Sequence, residues 1–335
     1  MWKWNIEDLT TNRRGKVFSC FSCGGGSSFG YKLAGFDVIG NCEIDKAINA
    51  MYVKNQHPKY NFLSDIRDFN KRTDLPEELY QLDILDGSPP CSTFSTAGKR
   101  EAGWGVEKVF REGQAKQRLD DLFFDFIDTA DKLKPKIVVA ENVEGLIKGN
   151  AKGYVTEIVQ KFHSIGYDVQ LFRLDSSLMG VPQKRTRVFF VANRMGYNKL
   201  NLNFTEKPIS FGKVKSECGK EIKSEDVKYL LRNASGKDKC LADINERVRG
   251  KTSRFTSVLV RDSEVCPTIT SGGEFFRLDG DKWSHFSDKD FISVQTFPQN
   301  YDFAEQSVQY VCGMSVPPVM MRRIAEQIRK QWLKE

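Results

Sequence analysis

The side chains with chemical potential in this 335-residue chain cluster just after short apolar runs. Cys91 follows two prolines in "DILDGSPPCSTFSTAGKREAGWG" (83–105). Behind it, glycines at 98, 103 and 105 with Lys99 and Arg100 between them make a basic loop able to close on a substrate. A thiol so placed could pack, ligate a metal, pair in a disulfide or act as a nucleophile. The last role needs thiolate character, supplied by positive charge or a base. No histidine is near in sequence, which argues against a Cys–His hydrolase. Glu141, in "AENVEGL", ends an apolar run, where a carboxyl can keep a proton to donate. Gln183, Arg185 and Arg187 alternate in "GVPQKRTRVFF", one face of an extended segment suited to binding an oxygen or a phosphate.

A second group of residues suggests a ligand pocket. The turn "FSCGGGSSFG" (21–30) lets backbone N–H groups approach a ligand and opens a helix. It does not match G-x-G-x-x-G in register. Glu43 stands where an acid accepts from ribose hydroxyls, and Asp65, in "LSDIRDF", where one accepts from an adenine amino group. Together they outline an adenosine pocket without a pyrophosphate cradle, which favours S-adenosylmethionine over NAD.

These residues need a scaffold, and the apolar periodicity supplies one. Strands are expected over 16–21, 37–45, 82–90, 136–143, 168–175 and 186–193. Helices are expected over 29–36, 47–55, 120–135 and 154–167. The alternation predicts an α/β fold with a mostly parallel sheet, whose ligands sit at the carboxyl ends of strands. Beyond residue 193 the pattern becomes short polar segments with no strong helix, read as a smaller strand-and-loop domain. The end, "PPVMMRRIAEQIRKQWLKE", is an amphipathic helix expected to dock back onto the large domain.

Composition narrows the class. No apolar run reaches the roughly 20 residues of a membrane span, and the polar start is not a signal peptide. Eight cysteines in a chain of this length are no disulfide scaffold, and without a second C-x-x-C or a His pair no metal site is expected. The net charge is +7, and residues 194–260 alone hold 15 Lys and Arg against 8 Asp and Glu. That segment is either a solvated basic face or the footprint of a polyanion.

The ordered set "FSCGGG", "EID", "SDI", "GSPPCSTFS", "ENV", "QKRTR" and "YVCGMSVPP" resembles the DNA (cytosine-5) methyltransferases of bacteria and phage, over about 16–328. The resemblance implies an S-adenosylmethionine-dependent, Rossmann-like catalytic domain over 1–192 plus 305–335. It implies a target-recognition domain over 193–285 and a hinge over 286–304. Cys91 would attack carbon 6 of a flipped-out cytosine and Glu141 would protonate ring nitrogen 3. Arg187, with Arg185 beside it, would contact the base or support the site. Phe21, Cys23, Gly24, Gly25, Gly26, Glu43, Ile44, Asp65, Ile66, Ser88, Pro90, Leu122, Met314 and Ser315 would line the cofactor pocket. Ser95, Lys99, Arg100, Gln183, Arg254 and Arg261 would meet the substrate, with 250–262 the best guess for a base-reading stretch. The implied partner is double-stranded DNA, with a cognate restriction endonuclease acting separately. The implied protein is a monomer of the bacterial or phage-infected cytoplasm, at the nucleoid and without a membrane. The rival readings are a tRNA cytosine-5 methyltransferase of the same fold and a catalytically silent DNA-binding relative. Three departures stand out: Cys23 replaces the first glycine of the Phe-x-Gly-x-Gly-Gly turn, Met314 an asparagine, and Lys289 and Ser293 two arginines.

Overall fold

The computed structural model describes residues 3–10, 14–90, 121–148, 152–252 and 257–333. Cys91, Ser95, Lys99, Arg100 and Arg254 lie outside the described residues. The chain folds as two compact units.

The sheet unit takes in residues 9–175, 186–204 and 320–335. It runs β1 (Lys16–Cys20), α1 (Gly26–Leu33), β2 (Asp37–Glu43), α2 (Lys46–Gln56), β3 (Tyr60–Leu63) and α3 (Ile66–Lys71). It continues with β4 (Ile84–Gly87), α4 (Leu122–Leu133), β5 (Ile137–Val143), α5 (Lys152–Ser164) and β6 (Asp168–Asp175). After the two-residue β7 (Gln183–Lys184) in the other unit, β8 (Thr186–Asn193) completes a seven-stranded sheet of order β3-β2-β1-β4-β5-β8-β6. All neighbours are parallel except β8, which is antiparallel to β5 and β6.

Local chemistry explains these elements. α4 buries Leu122, Phe123, Phe126, Ile127, Ala130 and Leu133, an apolar stripe at helical spacing, against a core that includes Phe18, Phe69 and Phe190. Asp45 caps α2 by accepting from Ala47 and Ile48 N–H, and Asp65 caps α3 by accepting from Arg67 N–H. The first helix starts at Gly26, three residues before the apolar spacing begins, because Gly25 takes a left-handed cap at φ +74° that the sequence pattern does not register. β3 and α3 were not expected: β3 buries no residue fully and α3 spans only six. From Arg329 a guanidinium reaches the Ala34 carbonyl, and the Trp332 indole stacks on Tyr197 and donates to Asn198 O. The last helix, α10 (Pro318–Ile328), thus leads into a segment docked on the sheet unit, as expected.

The second unit comprises residues 1–8, 176–185 and 205–319. Its boundaries differ from the expected ones, since 1–8, 286–304 and 305–319 all group with it. It holds β9 (Val258–Val260), β11 (Phe275–Asp279) and β12 (Lys282–His285) as one small sheet, and β10 (Cys266–Pro267) pairs with β7. The expectation of strands and loops without helices fails over 193–285. α6 (Glu225–Arg232) and α7 (Leu241–Arg249) pack Leu230, Leu231, Leu241 and Ile244 against Leu259 and Phe276. These two helices are short and heavily charged, so their apolar stripes are only two or three residues long. α8 (Asp288–Gln295), inside the expected hinge, and α9 (Val308–Met314) belong to the same unit.

Candidate active site

In the sheet unit the strand order reverses between β1 and β4: β2 and β3 extend one way, β5 and β8 the other. Chains leaving the carboxyl ends of two such strands diverge and leave a crevice, the usual place for a ligand. The chain leaving β1 is the Phe21–Gly26 turn, and the one leaving β4 is Ser88-Pro89-Pro90. Topology alone therefore brings the glycine turn and the approach to Cys91 to one crevice.

On the turn side, Phe21, Cys23 and Gly25 have φ of +52°, +44° and +74°. Gly25 is favoured there by its left-handed backbone, and a Cβ would displace the Gln56 amide, which it would approach to 2.6 Å. Cys23, where the family has glycine, carries a side chain in the left-handed region. The Glu43 carboxylate, at the end of β2, accepts from Cys23 N–H at 3.0 Å, Ile44 N–H at 2.9 Å and Asp45 N–H at 3.1 Å. Burial raises its pKa and these three amides oppose the rise. Underneath, Asn41 Nδ2 donates to Ser22 Oγ and Gln56 Nε2 to Gly25 O.

Beside the turn lies a cleft of about 250 Å³ lined by Phe21, Cys42, Ile44, Ser64, Asp65, Ile66 and Leu122. Five of these were expected at a cofactor; Cys42 and Ser64 were not. Apolar walls with Asp65 on the rim suit a flat heterocycle with an amino edge. The donor set also says what the pocket does not suit. The Cys23 amide that a phosphate would need is bound to the Glu43 carboxylate, whose charge would repel one. The residues fit a nucleoside with a neutral or cationic tail, as S-adenosylmethionine is.

On the catalytic side, Glu141 sits on β5 opposite Phe189 of β8, and Arg187 sits opposite Val143. Antiparallel register makes Glu141 and Arg187 diagonal neighbours on one face, within reach of a long side chain. Arg187 Nε meets Glu141 Oε1 at 2.9 Å, and its Nη1 donates to Thr186 O. Burial pulls the Arg187 pKa down and Glu141 pushes back. The next residue, Asn142, donates from Nδ2 to Pro89 O at 3.1 Å. It thereby holds the Pro-Pro segment that delivers Cys91. Gly87, just before that segment, lies under the Phe126 ring, which a Cβ would meet at 2.4 Å.

Several other expected residues group with the second unit. Arg185 is expected beside Arg187, contacting the base or supporting the site. It is in the second unit, 2 % exposed, and its guanidinium donates to Ile269 O and Gly313 O. Gln183, expected at the substrate, is buried there too, donating to Gln295 Oε1 and accepting from Ile269 N–H. Gln295 in turn donates to Ser315 O, and Ser315, together with Met314 at the end of α9, groups with that unit. Arg261 stacks over Trp283, donates to Ser235 O and pairs with Glu264.

The sequence pattern gives no role to Asn142 or Asp86. Asp86 is an acid inside a buried parallel strand, where apolar residues are the rule, and that mismatch was the available signal. It accepts from Ser19 Oγ at 3.0 Å and from Tyr31 OH at 3.2 Å.

The family model of the C-5 cytosine-specific DNA methylases matches residues 15–330. The chain belongs to that family. Among curated relatives of this methylase, the type II methyltransferase M.NgoPII of Neisseria gonorrhoeae is 37% identical, over 96% of this chain and 97% of its own. The type II methyltransferase M.FnuDI of Fusobacterium nucleatum is 31% identical, over 94% of each. Among solved structures, a candidate DNA modification methyltransferase encoded within an E. coli prophage superposes with a TM-score of 0.67. It is 18% identical over 96% of this chain and 100% of its own, a likeness of fold. The sheet described above is the α/β fold of that group, and the methylase's class of reaction is cytosine-5 methylation of DNA. No helix among its described residues is long and apolar enough to cross a membrane.

Proposed function

We propose that this methylase transfers the methyl group of S-adenosylmethionine to carbon 5 of a cytosine in a specific duplex DNA sequence, through a covalent adduct with Cys91. The observation that carries the reading is the Glu141–Arg187 ion pair on one face of β5 and β8, where β5 adjoins the β4 side of the switch point. When bound, S-adenosylmethionine supplies an electrophilic methyl group; Phe21, Ile44, Asp65, Ile66 and Leu122 would hold its adenine and Glu43 its ribose. The target base must leave the helix, because carbon 6 cannot be reached inside the stack. The Cys91 thiolate adds to carbon 6 while Glu141 gives its proton to nitrogen 3, so that the electron pair of the 5,6 double bond becomes available at carbon 5. Carbon 5 would bond to the methyl carbon as that carbon's bond to the sulfonium sulfur breaks, the electron pair remaining on sulfur as a neutral thioether. The carbon 5 proton then leaves to solvent, Cys91 departs as thiolate, and nitrogen 3 returns its proton to Glu141. Arg187 keeps Glu141 aimed throughout.

Likeness to relatives named type II methyltransferases supports a modification role, and we further propose a separate endonuclease, a cytoplasmic setting and a monomer acting on DNA. The basic residues of 194–260 would follow the phosphates, which position the protein without specifying sequence. The test is transfer of labelled methyl to duplex DNA and to tRNA, with Cys91→Ser alongside. Wild type should label DNA and become trapped on 5-fluorocytosine at the target, and Cys91→Ser should do neither. Methylation by Cys91→Ser at the wild-type rate, or labelling of tRNA alone, would overturn the reading.

A further inference from the structure

Asp86 has no part in the chemistry above, yet it sits at the centre of the crevice's supports. It is 2 % exposed, in mid-sheet. Register places it beside Ser19 of β1 and beside Val139 of β5. Glu141 lies two residues beyond Val139 and so on the same face of the sheet. The Asp86 carboxyl takes one hydroxyl from β1, at Ser19, and one from α1, at Tyr31. β1 and α1 flank the cofactor turn, and β4, which carries Asp86, leads into Pro89, Pro90 and Cys91.

We propose that Asp86 is a positioning residue for methyl transfer: its ionised carboxyl ties the strand that delivers Cys91 to the strand and helix that hold the cofactor turn, so that donor and nucleophile are registered to each other. The inference rests on the assignment of Cys91 and the cofactor given above. Both hydroxyls donate to the carboxyl, and only the ionised form accepts two such bonds without offering a competing proton. Protonation weakens the tie, and small displacements between reacting atoms cost rate steeply. Burial pushes the Asp86 pKa up to about 7, with the Glu141 charge adding to the rise and the Ser19 and Tyr31 hydroxyls opposing it. Ionisable neighbours facing it are Tyr31 on α1, Glu141 on β5 and Cys20 on β1, with Tyr52 of α2 more remote. Tyr31, Cys20 and Tyr52 all have pKa values raised by burial and by Asp86 itself, so they stay neutral in this range. The switch between tied and loosened forms falls where a cytoplasmic enzyme works.

The experiment is the pH dependence of kcat for DNA methylation, from pH 5.5 to 9, in wild type, Asp86→Asn and Tyr31→Phe, with S-adenosylmethionine binding measured in parallel. Wild type should gain activity through a limb centred near pH 7. Asp86→Asn should lose that limb and run about tenfold or more below the wild-type plateau, with KM for DNA unchanged. Tyr31→Phe removes one donor to the ionised form, so its limb should move up by about one pH unit. A side chain that merely fills space would move neither limb. Should Asp86→Asn not fold, the Tyr31→Phe profile decides: an upward shift supports the proposal and an unmoved limb overturns it. Unchanged profiles in an active wild-type background overturn this inference alone. A wild type that methylates no DNA overturns the reading beneath it.

Discussion

Each unit holds an arginine–carboxylate pair shielded from most of the solvent, Arg277–Asp290 in the second and Arg187–Glu141 in the sheet unit, and they are finished differently. In the second unit Arg277 and Asp290 are both fully buried. The Arg277 guanidinium meets both Asp290 oxygens at 3.0 Å, and also Asp279, Ser216 Oγ and Ser216 O. Asp290 further accepts from Ser216 N–H, Ser287 N–H and Ser287 Oγ. Every site on that pair is used. In the sheet unit Arg187 reaches Glu141 through one N–O contact, and nothing described beyond Arg187 bonds the carboxylate. A saturated pair can only hold structure together. A pair with an oxygen in reserve can hold something else, and the carboxylate left with spare capacity is the one beside the switch point.

Removing the function of each pair should therefore have opposite readouts. Glu141→Gln keeps size and loses the transferable proton. Methylation should fall by about 10²–10⁴-fold, the usual worth of a positioned general acid, while the melting temperature barely moves. Single-turnover methylation and a thermal melt on one preparation check this; a variant with normal turnover would remove Glu141 from the chemistry. Asp290→Ala should show the reverse. It leaves a buried guanidinium and two backbone N–H groups without their acceptor, a loss of about 3–5 kcal/mol in urea unfolding. Surviving folded protein should still bind S-adenosylmethionine, since the cleft is built wholly from the sheet unit. Equal stability of Asp290→Ala and wild type would break the comparison.

The same contrast explains which parts were legible in sequence. Asp65 follows the half-exposed β3, whereas Glu43 ends β2 and Glu141 lies near the end of β5, each after an apolar run, so position and residue type could be read together. So could the sheet, because β1, β5 and β8 are long buried runs. Arg185 and Arg187 are two residues apart, and alternation alone assigned them one task. The chain in fact passes from one unit to the other between them, and spacing along a strand carries no trace of that division. For Gln183 and Arg261, residue type and position give no sign of the partners that each meets within its own unit, Gln295 Oε1 for Gln183 and Ser235 O for Arg261. α6 and α7 stayed hidden because their stability comes from packing on Leu259 and Phe276, far along the chain, and not from local periodicity. Asp86 was hidden by the opposite fault, an acid discounted inside a strand that otherwise reads as core.

The smallest effect separates the two units by pH. The saturated pair of the second unit has its charge compensated by many donors, whereas Asp86 has two hydroxyls against deep burial. In the unfolded chain Asp86 releases its proton near its ordinary value of 3.8, and in the folded protein near 7. Between these values the native state binds more protons than the unfolded one, so Asp86's contribution to stability is full below about pH 4. It is lost as pH rises to about 7, and stays lost above. The slope cannot exceed about 1.4 kcal/mol per pH unit for one group. Asp86→Asn has no proton to hold, so its stability relative to wild type should climb from pH 4 to 7 and level off beyond. The difference between the two proteins cancels other titrating groups, including Glu43, whose pKa burial also raises. Urea titrations of both at pH 5, 6, 7 and 8 measure it. A difference that stays flat across that range would mean that Asp86 is ionised in the fold at every working pH. The sheet unit would then tolerate its buried charge as completely as the second unit tolerates Asp290.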